Sequence, residues 1–130
     1  MLYGNLVSWV TRKQKTVSLS TAEAEYVALS LLVSEALWYK GLVNVVNVSC
    51  QNILIFVDNQ SCIQMSNNRE NNTRVKHIDI KHHFIKDSIQ NGDIIVKYIC
   101  TEKQKADIFT KPLCKPTFCY LRKSIGMFDC

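Results

Sequence analysis

Residues 53–57, ILIFV, constrain the fold more than any other part of the chain. Five consecutive apolar residues without alternation are typical of a strand buried on both faces of a parallel sheet. The run ends at Asp58-Asn59-Gln60, and a short helix is predicted from there to about Ser66. Residues 77–90 predict a helix capped by Gly92, and residues 94–100 predict a further strand. This order of elements predicts an α/β fold.

The N-terminal residues predict two strands and a long helix. The strands fall at residues 6–11 and 16–20, with the polar residues 12–15 as the turn between them. Ser20 and Glu23 have the spacing of a capping box, and apolar residues then recur at helical spacing until the helix fades near residues 41–47. Two parallel and two N-terminal strands together predict a sheet with mixed pairing.

The C-terminal residues predict two more helices. Thr101 and Gln104 have the capping-box spacing, and the helix that they open should reach about Thr110 before Pro112 stops it. A last helix is predicted over residues 117–125. Trp9, Tyr26 and Trp38 are expected to be core or packing residues rather than platforms for base stacking.

Composition indicates one folded domain over residues 1–130. Apolar residues make up 47% of the chain, and sixteen Lys and Arg against eleven Asp and Glu give a formal charge of +5. This charge is compatible with a polyanionic partner but equally with a basic domain that has none. The six cysteines form no CxxC pair, so buried free thiols and a reducing compartment are expected. No apolar run approaches the roughly 20 residues of a membrane span.

Three carboxylates stand where the ends of strands and helices would bring them together. Glu25 lies in the first turns of the long helix, Asp58 ends the apolar strand, and Asp107 lies near the start of the helix after the last strand. Clustered carboxylates can hold two magnesium ions that activate a water and stabilise a leaving oxygen. Helix dipoles and caps explain the same acids without a metal, so the spacing leaves both interpretations open.

Four sequence blocks narrow these alternatives. Residues 13–26 (KQKTVSLSTAEAEY), 57–60 (VDNQ), 76–85 (KHIDIKHHFI) and 101–113 (TEKQKADIFTKPL) resemble, in order, four blocks of copia-type (Ty1/copia) retrotransposon polyproteins. The family segment with these blocks is the ribonuclease H domain that follows the reverse transcriptase.

The resemblance implies a fold, an activity and a set of site residues. The fold would be a ribonuclease H-like mixed sheet flanked by helices, and the activity would be cleavage of the RNA strand of an RNA–DNA hybrid with two Mg²⁺ ions. Glu25, Asp58 and Asp107 match the family's catalytic and metal-binding carboxylates. The implied partners are the hybrid and the reverse transcriptase portion of the same polyprotein, with no membrane. The implied location is intracellular, in a cytoplasmic virus-like particle or in the nucleus.

The family pattern begins earlier than this sequence. Its first, central strand carries a further aspartate, whereas no Asp or Glu precedes Glu23 here. We therefore expect a single partial domain that lacks this strand and one catalytic carboxylate, and little activity from the chain as given. The alternative is a non-catalytic retroelement remnant that at most binds nucleic acid.

Five basic residues are candidates for binding a phosphate backbone. A basic turn and the start of the KHIDI block supply them: Arg12, Lys13, Lys15, Lys76 and His77. Lysine and arginine neutralise phosphates, but basic turns are also common on solvated surfaces without a ligand.

Overall fold

The computed structural model describes residues 1, 4–14, 17–18, 20–46, 52–67 and 76–128, without the side chains of residues 76–79 and 82. The chain forms two compact units. The terminal unit comprises Met1–Lys15 and Ile99–Cys130, and the core unit comprises Thr16–Tyr98. Each unit is described by itself. One domain over residues 1–130 stays a prediction.

Helix α1 (Thr21–Val45) opens the described secondary structure of the core unit. The Ser20 side chain accepts a hydrogen bond from the Glu23 backbone N–H at 3.1 Å, so the predicted N-cap is confirmed. The helix ends within the range where its pattern fades, as predicted. Tyr26, Leu29 and Val33 point into the core because they recur at helical spacing.

Helix α1 is also long and apolar enough to cross a membrane by length and composition, contrary to the expectation from its sequence. These two properties are weak support for a membrane span because core helices share them. Five α1 residues are buried in the core unit, whereas Leu31, Trp38 and Leu42 are exposed. Trp38 packs edge-on against Tyr39, with ring centroids 4.9 Å apart, so it lies outside the core but has the packing contact that was the alternative.

Strands β1 (Ile53–Val57) and β2 (Ile94–Tyr98) form a parallel pair in which Ile53 is opposite Ile94. The predicted parallel pairing is confirmed, but burial on both faces is wrong. Ile55 and Val57 are buried, whereas Leu54 and Phe56 on the other face are 46% and 45% exposed. Alternate residues of a strand point to opposite faces, so within the described part of the core unit one face of this pair is packed and the other is largely open.

Helices α2 (Gln60–Asn67) and α3 (Lys76–Gln90) complete the core unit, and both confirm the sequence prediction. Gly92 has a φ of +73°, the left-handed conformation expected of a residue that ends a helix. The Lys40 ammonium of α1 lies 2.8 Å from an Asp93 carboxylate oxygen. A continuous hydrophobic core joins the three helices and the strand pair: Tyr26, Leu29, Val33, Ile55, Val57, Cys62, Ile85 and Ile94.

The terminal unit contains two 3₁₀ helices (Thr101–Lys103 and Lys105–Phe109) and helix α4 (Lys115–Ser124). Leu121 and Ile125 are buried. Two hydrogen bonds hold the last turn of α4: Leu6 N–H donates to the Ile125 carbonyl at 3.1 Å, and Lys105 Nζ donates to the Ser124 carbonyl at 2.8 Å. A cation at this position suits the C-terminal end of a helix.

Several predictions for the terminal residues are wrong. Residues 6–11 form no strand, and the described part of residues 16–20 forms none either. The predicted mixed sheet is thus replaced, within the described residues, by one parallel pair. The N-cap of the first 3₁₀ helix is Cys100, whose side chain makes no capping hydrogen bond. Thr101 therefore lies inside this helix and is not its cap. Trp9 is 63% exposed and stacks on Phe109, with ring centroids 5.8 Å apart.

Candidate functional site

Two of the three predicted carboxylates lie at the carboxyl end of β1. Asp58 directly follows this strand, and Glu25 reaches the same end from the second turn of α1. The Glu25 Oε1 atom accepts a hydrogen bond from the Asn59 side-chain amide at 3.3 Å. Asn59 directly follows Asp58, so the core unit joins Glu25 of α1 to the residue next to Asp58.

Asn59 is a site residue to which the sequence prediction gave no role. Its side-chain oxygen accepts the Cys62 backbone N–H at 3.2 Å, and its backbone carbonyl accepts the Ile63 N–H at the same distance. Asn59 is therefore the N-cap of α2, and its remaining amide N–H group holds Glu25. An asparagine between a strand and a helix is a signal for such a cap, but the sequence does not reveal which residue accepts a hydrogen bond from its side-chain NH₂ group.

The site is backed by an apolar wall. Cys62 is fully buried beneath Glu25, and Tyr26 is almost fully buried. Burial raises the pKa of the Cys62 thiol to about 12, with a smaller contribution from the Glu25 carboxylate. Burial likewise raises the pKa of Tyr26 above its usual value. Both groups stay neutral at physiological pH, so negative charge in this region lies on the carboxylates.

Asp107, the third predicted carboxylate, lies in the terminal unit. It is buried in the second 3₁₀ helix, with its Oδ2 atom 2.9 Å from the Lys111 ammonium. Its backbone carbonyl also accepts the N–H groups of Thr110 and Lys111. A buried carboxylate requires such a partner because an unpaired charge is costly to bury. The motif that identified Asp107 thus also contains the cation that neutralises it.

The donor atoms suit a hard divalent cation in chemistry but not in number within either unit. Glu25 and Asp58 offer carboxylate oxygens, the ligands that Mg²⁺ prefers. Within the described part of each unit, no three His, Cys, Asp or Glu side chains come together closely enough to hold a metal ion. If Glu25 and Asp58 hold a metal ion, further ligands would therefore have to be added to them.

The predicted phosphate-binding residues are placed only in part. Arg12 and Lys13 are exposed in the terminal unit, in the segment predicted as a turn. Lys15 lies outside the described residues. Lys76 and His77 begin α3, and their side chains also lie outside the described structure. Arg12 and Lys13 are therefore the two members of this set with known exposure.

The chain is similar along most of its length to proteins of plant transposons. It is 32% identical over 124 residues, 95% of the chain, to the retrovirus-related Pol polyprotein from transposon TNT 1-94 of Nicotiana tabacum. Those from transposons RE2 and RE1 of Arabidopsis thaliana are 33% and 34% identical over 122 residues, 93% of the chain.

The match covers only 8% to 9% of the length of these relatives. No family model matches the chain. No solved structure matches it significantly. The homologues of this chain are thus retrovirus-related Pol polyproteins of plant transposons, and the chain corresponds to one short segment of them.

Proposed function

We propose that this chain is the ribonuclease H segment of a copia-type retrotransposon Pol polyprotein, and that it supplies Glu25, Asp58 and Asp107 to a site that cleaves the RNA strand of RNA–DNA hybrids. The observation that carries the proposal is the contact of Glu25 with Asn59, beside Asp58, at the carboxyl end of a parallel strand. Ligands and substrates of open α/β sheets commonly bind at this end of the strands.

Each residue of the proposed site has a distinct role. Glu25 and Asp58 would hold Mg²⁺ through their carboxylate oxygens, and Asn59 would keep the Glu25 side chain oriented toward it. Asp107 would be a further ligand, and its carboxylate pairs with the Lys111 ammonium in this structure. Bound Mg²⁺ would activate a water and stabilise the leaving oxygen of the phosphodiester.

The substrate contacts would come from basic residues. Arg12 and Lys13 are exposed, so they are able to contact the phosphates of a hybrid, and Lys15, Lys76 and His77 are proposed as further contacts. The reverse transcriptase portion of the polyprotein, which produces hybrids, would be the covalent partner. The homology to Pol polyproteins supports this arrangement over an isolated enzyme.

A cleavage assay with matched variants tests the proposal. The 130-residue chain would be assayed alone and joined to the upstream segment of the TNT 1-94 polyprotein, since the resemblance implies a fourth carboxylate there. Labelled RNA–DNA hybrid and Mg²⁺ are supplied, and calorimetry measures Mg²⁺ binding independently. Glu25→Gln should lower the cleavage rate of the joined protein by about 10²–10³ and weaken Mg²⁺ binding.

Glu35→Gln is the matched control, because Glu35 lies exposed on the same helix. It should leave cleavage and Mg²⁺ binding unchanged. An inactive joined protein, or cleavage that survives Glu25→Gln, would contradict the proposed site. Hybrid binding without cleavage by either protein would favour the non-catalytic remnant.

A further inference from the structure

Positive charge is concentrated in one of the two units. The terminal unit holds nine Lys and Arg against three Asp and Glu, a formal charge of +6 in about a third of the chain. The core unit holds seven Lys and Arg against eight Asp and Glu, a formal charge of −1. The overall charge of +5 therefore hides a strong asymmetry between the units.

Much of this charge lies on the surface of the terminal unit. Lys103, Lys115 and Lys123 are exposed, and none of them forms an ion pair with any residue that the structure describes. Of the described acids in this unit, Asp107 is buried and neutralised by Lys111, and Glu102 is exposed beside Lys103. The acids of the unit therefore offset little of its exposed charge.

Helix α4 presents two of these lysines, Lys115 and Lys123, together with exposed aromatic rings. Leu121 and Ile125 face the interior of the unit, so the opposite side of the helix is exposed. Lys115 and Lys123 are eight residues apart, about 12 Å along a helix axis. Tyr120 is 51% exposed and lies between them in sequence. Separated cations interleaved with an exposed aromatic ring suit phosphates spaced along a strand whose bases offer faces for stacking.

We propose that Lys103, Lys115 and Lys123 form a phosphate-binding surface through which the terminal unit holds nucleic acid whatever its sugar. This binding goes beyond the proposed cleavage, because duplex DNA would bind and not be a substrate. The surface is separate in sequence from the Glu25 and Asp58 pair. Binding to an anionic membrane surface is the alternative that the test distinguishes, since Phe118 and Tyr120 of α4 are exposed beside the lysines.

Salt-dependent binding of a fluorescein-labelled duplex DNA, measured by fluorescence anisotropy on the full chain, tests this surface. The triple variant Lys103→Gln/Lys115→Gln/Lys123→Gln should weaken binding at least roughly tenfold. The slope of log affinity against log salt concentration should fall by about one for each lysine that contacts a phosphate. All three side chains are exposed, and circular dichroism would check that the variant is folded.

The matched control removes the same charge from the core unit. Lys81→Gln/Lys86→Gln/Lys97→Gln should change the affinity and the salt slope much less. Equal effects of both triple variants would overturn the proposal, since binding would then follow net charge alone. Absent DNA binding would also overturn it, as would equal or tighter binding of polyglutamate or of vesicles with equal parts phosphatidylserine and phosphatidylcholine.

The two proposals can fail separately. A chain that binds duplex DNA through these lysines while the joined protein never cleaves hybrid would contradict only the proposed function. If the joined protein cleaves hybrid in a Glu25-dependent way but Lys103→Gln/Lys115→Gln/Lys123→Gln leaves the affinity for duplex DNA unchanged, only the phosphate-binding surface is contradicted.

Discussion

The core unit and the terminal unit differ in how they are held together. The core unit packs eight buried residues from three helices and two strands into one cluster. The terminal unit buries Leu121 and Ile125 and relies on polar contacts such as Lys105 with the Ser124 carbonyl. Burying a large apolar side chain stabilises a fold by about 1.5–3 kcal/mol, so the core unit should carry most of the stability.

The difference in charge follows the difference in packing. The core unit is almost neutral and holds Glu25 in a fixed contact with Asn59. The terminal unit concentrates exposed lysines on elements with little apolar support. A carboxylate site requires precise geometry, and the proposed ligands Glu25 and Asp58 lie on the better packed unit.

The largest expected effect is loss of packing in the core unit. Ile85→Ala should lower the free energy of unfolding by about 2–5 kcal/mol, because Ile85 is fully buried in the cluster. Urea denaturation followed by circular dichroism measures this change. Leu121→Ala is the counterpart in the terminal unit and should affect mainly hydrogen exchange of α4. If Leu121→Ala reduces the free energy of unfolding as much as Ile85→Ala does, the core unit does not carry most of the stability.

A smaller effect is expected from Gly126→Ala in the terminal unit. Gly126 has a φ of +87°, a conformation that costs other residues about 1–2 kcal/mol, and an added Cβ would meet Asn5 Oδ1 at 2.6 Å. Faster hydrogen exchange confined to the terminal unit is the expected result. Gly41→Ala is the control, because its added Cβ meets no atom within 4 Å and the helix should become slightly more stable. Equal destabilisation by both changes would exclude this explanation.

Asn59→Ala should cost the core unit about 1 kcal/mol through loss of the α2 cap. Asn59→Ser separates the two roles of this residue, because it keeps an uncharged capping oxygen and removes the amide that holds Glu25. We expect thermal unfolding to show stability close to the original for Asn59→Ser, together with reduced hybrid cleavage in the joined protein. Full activity of Asn59→Ser would mean that the Glu25 contact is dispensable.

The smallest effect, absent at neutral pH, is a loss of core-unit stability in alkali. Burial raises the pKa of Cys62 from 9.0 to about 12, so between these values the unfolded chain loses the thiol proton and the folded chain keeps it. Stability contributed by the neutral thiol is present below pH 9 and is lost as pH rises toward 12. Denaturation midpoints measured across this range should fall less steeply in Cys62→Ala. If the slope is the same in Cys62→Ala, the loss of stability in alkali does not come from the Cys62 thiol. The Tyr26 hydroxyl would then be the next group to test.

Local interactions explain which parts of the fold could be predicted. Ser20 caps α1 and Gly92 follows α3 in a left-handed conformation because each depends on a few neighbouring residues. The parallel pair β1 and β2 was also predictable, since an apolar run and a following helix leave few alternatives.

Long-range pairing explains where prediction failed. Residues 6–11 have the composition of a strand, but within the described structure no strand pairs with them. A strand requires hydrogen bonds to a neighbouring strand, so composition alone does not form one. Leu54 and Phe56 are apolar yet exposed, because no element among the described residues of the core unit covers their face of the strand pair. The second contact of Asn59 was hidden for the same reason, as Glu25 is 34 residues away in sequence.

By itself, the sequence determined the helices of the core unit, its two paired strands, the positions of Glu25, Asp58 and Asp107 along the chain, and the likeness to Pol polyproteins, because these depend on local preferences and on motif order. Only the tertiary structure decided that Asn59, next to Asp58 in sequence, holds Glu25, that Lys111 neutralises Asp107, and that charge separates into a basic terminal unit and a nearly neutral core unit. Contacts and charge distribution of this kind depend on which segments fold against one another, and a linear pattern does not contain that information.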